Sequence, residues 1–227
     1  MPGALLAALL DLLYPPRCAA CAGPCGGQPF CPACAEALEP VPAGCARCGL
    51  PGPDPCCGAC LVAAPAFDAV AAGGLYGGPL AEAVRALKYG GRPAVARPLG
   101  DWLAGRVGLP RGALVVAVPL GRARRIARGY DQAALLARHL ARAVGGRPLL
   151  GALRRVRETP PQVGRSRAAR ARNVAGAFAA EAAVVAGQAL VLVDDVVTTG
   201  ATADAAASAL KAAGARSVRV VALARAE

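Results

Sequence analysis

Along residues 65–227, short runs of consecutive apolar residues alternate with longer stretches in which apolar residues recur at helical spacing. A continuous apolar run bounded by turn residues is typical of a strand that is buried on both faces of a parallel sheet. Runs of this kind predict strands over residues 68–76, 114–118, 149–156, 189–193 and 217–223, the third as part of a hairpin. Helical patterns cover residues 79–89, 93–107, 131–144 and 202–213. This alternation predicts an α/β fold with a parallel sheet and right-handed crossovers.

The N-terminal part of the chain lacks this alternation. Its apolar stretch from Ala4 to Leu13 is interrupted by Asp11 and ends at Pro15. That is far short of the roughly 20 residues needed to span a membrane, and it lacks the basic start of a signal peptide. We therefore expect a helix over residues 1–14, no membrane span and a cytoplasmic protein. Residues 15–62 contain few large apolar residues, so we expect a separate region there, followed by the α/β domain over 67–227.

All ten cysteines lie before residue 61, and eight of them form Cys-x-x-Cys pairs: Cys18/Cys21, Cys31/Cys34, Cys45/Cys48 and Cys57/Cys60. Without a secretion signal, this spacing predicts zinc ligation and not disulfides. Each pair supplies two thiolates to a tetrahedral ion, so the short intervals favour two successive Cys₄ sites with a structural role. Pairing of the first Cys-x-x-Cys with the third is the alternative. Cys25 and Cys56 are left over, and Cys56 is an alternative to Cys57.

A candidate ligand site follows the apolar run at residues 189–193. Two acids, Asp194 and Asp195, are followed by a loop of small and hydroxyl residues that opens a helical pattern: Thr198, Thr199, Gly200, Ala201 and Thr202. Ligands of open α/β sheets bind beyond the carboxyl ends of the strands, and a helix N-terminus favours phosphate. The acids suit the vicinal hydroxyls of a sugar or, through water, Mg²⁺. The pattern therefore predicts a site for a ribose 5-phosphate group.

This stretch resembles the phosphoribosyl pyrophosphate (PRPP) motif of the type I phosphoribosyltransferases. The resemblance implies that Asp194 and Asp195 contact the ribose hydroxyls and that residues 198–202 wrap the 5′-phosphate. It also implies a pyrophosphate-binding loop after the second strand, a flexible hood over residues 160–178, and Mg²⁺ bound together with PRPP. The residues implied for pyrophosphate are Leu120, Gly121, Arg122, Arg125 and Arg128.

The chain as a whole resembles the ComF family, through the cysteine pairs, the Arg-Gly-Tyr-Asp-Gln segment at 128–132, the Gly-Ala-Phe segment at 176–178 and the acidic PRPP loop. Arg165 departs from the family, which usually has Leu there. Membership implies a link to natural competence and DNA uptake, with single-stranded DNA and other competence proteins as candidate partners. It implies a PRPP site more firmly than a particular reaction.

Charge adds two points. Of 26 basic residues, 20 lie between Arg85 and Arg172, together with only three acids. A local excess of this kind attracts polyanions such as pyrophosphate or nucleic acid. Because the chain has 24 Arg and only two Lys, the retention of Lys88 suggests a need for its compact charge. We predict that Lys88 contacts a phosphate, with a surface lysine as the alternative.

Two functions follow from these observations. The first is a PRPP-dependent transferase that acts on an acceptor the sequence does not identify. The second is a non-catalytic competence factor that binds single-stranded DNA and retains the fold. The first predicts release of pyrophosphate, and the second predicts DNA binding that weakens steeply as salt rises.

Overall fold

The computed structural model describes residues 16–158 and 173–226. The predicted N-terminal helix over residues 1–14 lies outside this range, as does most of the predicted hood segment, including Arg165. Within the described residues, no helix is long and apolar enough to cross a bilayer.

A five-stranded sheet forms the centre of the molecule. Its strand order is β1-β7-β6-β2-β3, and every neighbouring pair is parallel. A separate antiparallel pair joins β4 to β5. The strands are β1 (Ala69–Leu75), β2 (Leu114–Ala117), β3 (Arg147–Pro148), β4 (Leu153–Arg155), β5 (Phe178–Ala180), β6 (Ala189–Val197) and β7 (Ser217–Arg225). The predicted α/β fold with a parallel sheet is confirmed. Edge strand β3 was not predicted, because two residues are too short for a hydrophobic pattern.

The helices lie between these strands, apart from two short ones in the cysteine-rich region. They are α1 (Pro32–Glu36), α2 (Gly58–Val62), α3 (Gly78–Tyr89), α4 (Ala96–Val107, after a 3₁₀ turn at Pro93–Val95), α5 (Arg122–Arg128), α6 (Gln132–Ala143), α7 (Ala182–Val185) and α8 (Ala201–Ala212). The predicted N-cap of α6 has the expected geometry, since the Asp131 carboxylate accepts a hydrogen bond from the backbone N–H of Ala134 at 3.1 Å.

The core consists of one apolar layer on each face of the sheet. Side chains alternate along a strand, so Val191 of β6 joins Leu99 and Leu136 of α4 and α6 on one face. Its neighbour Leu192 joins Leu210 of α8 on the other. Burial of a side chain of this size contributes about 1.5–3 kcal/mol. The two layers hold rigid the carboxyl ends of the central strands, where the predicted ligand site lies.

Two predicted boundaries were wrong. Strand β6 continues to Val197 and pairs with β7 up to Arg225, so both acids lie within the strand and not after it. The segment after β2, predicted as a loop, contains helix α5, which ends at Gly129 with a left-handed backbone (φ 80°). None of the residues of α5 is buried, and for that reason it has no apolar periodicity that a sequence pattern could reveal.

The cysteine-rich region packs against the sheet at edge strand β1. The Phe30 ring meets the Trp102 ring edge-on, with centroids 5.5 Å apart, and the N–H of Leu75 donates to the carbonyl of Glu39 at 2.8 Å. Cys18 belongs to the apolar layer on one face of the sheet, and Cys45 to the layer on the other. The region thus spans both faces and covers an edge that would otherwise be open to pairing with another chain.

Candidate functional site

The eight paired cysteines form two groups of four. In each group the sulfur atoms all lie within 4.8 Å of one another: Cys18, Cys21, Cys31 and Cys34 in the first, and Cys45, Cys48, Cys57 and Cys60 in the second. This is the successive grouping that the intervals favoured, and the crossed pairing is excluded. Cys25 and Cys56 belong to neither group.

The geometry of both groups suits a tetrahedral zinc ion. Zn–S bonds of about 2.3 Å place the sulfurs of a tetrahedron roughly 3.8 Å apart. The Sγ atoms of Cys21 and Cys31 are 3.8 Å apart, and those of Cys48 and Cys57 are 3.6 Å apart. A group of four thiolates fills the coordination sphere and leaves no open position for a substrate. Each group can therefore hold a structural zinc ion.

In each group, the surroundings of the first cysteine favour its thiolate form. Burial opposes the charge on Cys18, but the backbone amides of Cys31, Cys21 and Ala20 donate toward its sulfur and lower its pKa to about 6. Cys45 has the same arrangement, with a pKa also of about 6. Since the thiolate is the form that binds metal, these backbone N–H groups favour the metal-binding form of both sulfurs.

The acid pair lies near the carboxyl end of β6, and Asp195 is held from two sides. Its side chain is 6% exposed, and its Oδ1 lies 2.6 Å from Nζ of Lys88. Its Oδ2 accepts a hydrogen bond from Nε2 of Gln132 at 2.7 Å. Burial opposes the charge on Lys88, but the Asp195 carboxylate raises the lysine's pKa above its ordinary value. Lys88 is therefore positively charged beside Asp195.

Asp194 differs from its neighbour. It is partly buried, and its Oδ1 accepts a hydrogen bond from the N–H of Asp195 at 2.8 Å. Burial, followed by the charge of Asp195, raises the pKa of Asp194 to about 8, against the opposing effect of Lys88. A carboxyl pKa displaced this far from its ordinary value is a common property of functional sites.

The loop after β6 leads into the N-terminus of helix α8. Gly200 adopts a left-handed backbone (φ 79°) as the N-cap of α8, a conformation that glycine adopts without strain. Helix α8 is twelve residues long, and the N–H groups of its first turn face the loop. Behind the loop, the buried guanidinium of Arg225 donates to the carbonyls of Val197 and Thr198.

Arg225 and Gln132 were not predicted as functional residues. Arg225 directly follows the apolar run at residues 220–224 of β7, and a charge in that position was the available signal. Gln132 belongs to the Arg-Gly-Tyr-Asp-Gln segment, but nothing in its local sequence shows that it reaches Asp195, 63 positions away.

The residues predicted to bind pyrophosphate separate into two groups. Leu120, Arg122 and Arg125 line a cavity of about 450 Å³ whose wall also includes Arg138, Arg154 and Arg155. Gly121 lies beside this cavity and close to the Glu158 carboxylate. That carboxylate accepts a hydrogen bond from the N–H of Arg122. Lys88 and Arg128 do not line this cavity. Lys88 pairs with Asp195, and the Arg128 guanidinium lies 5.1 Å from the centre of the Tyr89 ring.

Comparison of the sequence with known proteins shows which family the chain is related to. Residues 128–227 match the phosphoribosyl transferase domain family. The DNA utilization protein YhgH of Salmonella typhi is 36% identical over 205 residues, which cover 86% of this chain and 90% of that protein. Competence protein F of Haemophilus influenzae is 31% identical over 210 residues, which cover 87% and 90% of the two chains.

The chain belongs to the ComF family.

A second YhgH protein, from Escherichia coli (strain K12), is 33% identical over 225 residues, or 94% of this chain and 99% of that protein. Among solved structures, the glutamine PRPP amidotransferase from B. subtilis, complexed with ADP and GMP, is similar with a TM-score of 0.43 and 26% identity. That match covers 61% of this chain and 30% of the amidotransferase. By its family match and its cysteine geometry, this ComF protein has a phosphoribosyltransferase-like domain and two Cys₄ groups.

Proposed function

We propose that this ComF protein binds PRPP at the carboxyl end of β6 and transfers its phosphoribosyl group to an acceptor. The observation that supports the proposal best is the position of Asp194 and Asp195, six and five residues before the left-handed Gly200 that opens a helix of twelve residues. Acceptors for two hydroxyl groups and N–H donors for one phosphate therefore lie close together on the same strand and the loop that follows it.

The proposed roles follow from these groups. Asp194 and Asp195 hold the ribose hydroxyls, and residues 198–202 bind the 5′-phosphate. The N–H group of Gly121, with Arg122 and Arg125, holds the pyrophosphate, since the planar guanidinium matches phosphate oxygens. Mg²⁺ bound to PRPP neutralises charge on the pyrophosphate oxygens. An acceptor nucleophile attacks C1 as the bond from C1 to pyrophosphate breaks, and the transition state is cationic at the sugar.

The two Cys₄ groups are proposed to hold one zinc ion each. Their role is to stabilise residues 16–62, because these residues supply few large apolar side chains of their own. We also propose that residues 67–227 form the transferase domain and that the cysteine-rich region spans residues 15–62.

Binding of single-stranded DNA is a second candidate function. It is favoured by the cavity beside α5, whose wall contains five arginines and two acids. Both acids are already engaged by backbone N–H groups: Asp131 accepts from Leu120 at 2.9 Å, and Glu158 accepts from Arg122. The net field at the cavity is positive, which suits a chain of phosphates. A DNA end bound there would lie beside the proposed pyrophosphate loop.

Calorimetric titration of Mg-PRPP into the zinc-loaded protein tests the proposal. We expect binding by the parent and none by Asp194→Asn/Asp195→Asn. Asp101→Asn is the matched control, because Asp101 is an exposed partner of Arg142 far from the site, and it should bind normally. A folded parent that does not bind PRPP would overturn the transferase proposal.

The DNA function has its own test. Fluorescence anisotropy with a labelled oligonucleotide should give an affinity that falls as salt rises, with a slope of about −0.7 per phosphate contacted. Arg122→Ala/Arg125→Ala should weaken binding and reduce this slope. Unchanged binding by that variant would remove the cavity from the DNA site.

A further inference from the structure

Each oxygen of the Asp195 carboxylate already accepts one contact from a protein group, which leaves a second acceptor position on each oxygen for a ligand. Lys88, near the end of α3, lies 2.6 Å from Oδ1, and Gln132, at the start of α6, donates to Oδ2 at 2.7 Å. Three separate elements meet at one buried side chain. The carboxylate cannot rotate without breaking either the ion pair or the amide hydrogen bond, so its orientation toward the site is fixed.

The Lys88 end of this contact is itself held in place. The Tyr130 hydroxyl donates to the carbonyl of Leu87 at 2.7 Å, and the Arg128 guanidinium stacks over the neighbouring Tyr89 ring. Arg128 also donates to the amide oxygen of Gln132, which orients the amide so that its nitrogen faces Asp195. Residues 128–132 therefore bind the end of α3 and Asp195 at the same time.

We propose that Lys88 and Gln132 are positioning residues that fix Asp195 for the sugar hydroxyls, and that neither of them contacts a ligand phosphate. This inference rests on the proposed PRPP site and replaces the expectation from sequence that Lys88 binds phosphate. The Lys88 side chain is only 22% exposed and is directed to the acid. An ammonium that neutralises a buried carboxylate is costly to remove from it.

A positioning role and a phosphate-binding role for Lys88 predict different effects on the affinity for different ligands. A positioning lysine affects ligands that contain ribose, because it acts through Asp195. A phosphate-binding lysine affects every ligand that carries the phosphate it contacts. PRPP, ribose 5-phosphate and inorganic pyrophosphate separate the two cases, since pyrophosphate has no hydroxyl groups for Asp195 to hold.

The experiment is calorimetric titration of these three ligands, with Mg²⁺, into the parent, Lys88→Met and Gln132→Leu. We expect both variants to lose at least about tenfold in affinity for PRPP and ribose 5-phosphate, and to bind pyrophosphate within about twofold of the parent. Lys211→Met is the matched control, because Lys211 forms the other lysine–aspartate pair, 2.9 Å from Asp68, away from the site. It should bind all three ligands normally.

A double-mutant cycle with Asp195→Asn tests the route of the effect. If Lys88 acts through Asp195, then Lys88→Met has little further effect on PRPP affinity in the Asp195→Asn protein. The double variant also contains no uncompensated buried charge, so it remains informative if Lys88→Met alone folds poorly. Additive losses in the cycle, or an equal loss of pyrophosphate binding in Lys88→Met, would overturn the inference while the PRPP site itself stands.

Failure of the proposed PRPP site would give a different result from failure of this inference alone. A folded, zinc-loaded parent that binds neither PRPP nor ribose 5-phosphate would overturn the PRPP site and this inference together. Binding of both ligands by the parent, with no loss in Lys88→Met, would overturn the inference alone.

Discussion

Residues 16–62 and the α/β region differ in what they bury. Apart from Ala19, Pro29 and Phe30, the buried apolar residues of the first region are all cysteines, whereas the second buries leucines, valines and alanines in two layers around a sheet. Hydrophobic burial stabilises the second region without any bound group. The first region has no comparable core, so we expect its folding free energy to come from metal binding and from packing on the sheet. The comparison predicts that the two regions depend on different sources of stability.

Removal of zinc should have the largest effect and tests the comparison directly. Structural zinc contributes roughly 10–16 kcal/mol of apparent binding free energy in small domains. After chelation, we expect residues 16–62 to lose protection in hydrogen-exchange mass spectrometry while β6 and β7 retain theirs. Equal loss of protection throughout the chain would mean that the two regions unfold as one unit.

Substitution of one cysteine of a Cys₄ group tests the same comparison at a single residue. Cys57→Ser removes a member of the second Cys₄ group, and we expect zinc content to fall from two ions to one per chain by atomic absorption. Its neighbour Cys56 lies outside the group, so Cys56→Ser is a matched control that should retain both ions. Loss of zinc in Cys56→Ser instead would assign the ligand to the other cysteine.

A core truncation measures the stability of the α/β region. Leu192 is fully buried in central strand β6, and Leu192→Ala should reduce the free energy of unfolding by about 2–5 kcal/mol in urea. Zinc content should remain at the parent value, because the cysteine groups do not depend on this side chain. Leu61→Ala, at a position 73% exposed, should change stability very little. A loss of zinc in Leu192→Ala would show that the cysteine region depends on the sheet for its fold.

The smallest effect depends on pH and concerns the site alone. The pKa of Asp194 is raised from 3.8 to about 8 in the folded protein, so between these values the native state binds more protons than the unfolded state. Stability therefore falls as pH rises through this window. Asp194→Asn removes this penalty, and its advantage over the parent should grow from pH 4 to pH 8 and then level off.

Urea midpoints at pH 5, 7 and 9 measure this advantage. Asp101→Asn, which changes an exposed acid, should show no such trend. A constant difference between Asp194→Asn and the parent across the three pH values would contradict the raised pKa.

Local patterns predicted much of the fold. The central strands and α3, α4, α6 and α8 were found within a few residues of their predicted bounds, because each carries a continuous or periodic apolar pattern. Helix α5 and strand β3 were missed because one buries nothing and the other is too short for a pattern. The end of β6 was missed because its acids look like the start of a loop, although β7 continues to pair beside them up to Arg225.

The features of the candidate site also separate into those that the sequence predicts and those that depend on the tertiary structure. The sequence alone determined the four Cys-x-x-Cys pairs and the order of acids, threonines and glycine along the end of β6 and the loop that follows, since these features depend on neighbours a few residues apart. It favoured the successive grouping of the pairs but left the crossed pairing open. Only the tertiary structure decided that Lys88 and Gln132 meet at Asp195 and that the cysteine groups pack on opposite faces of the sheet. These contacts join residues far apart in the chain, and they exist because the parallel sheet brings the ends of distant elements to one edge.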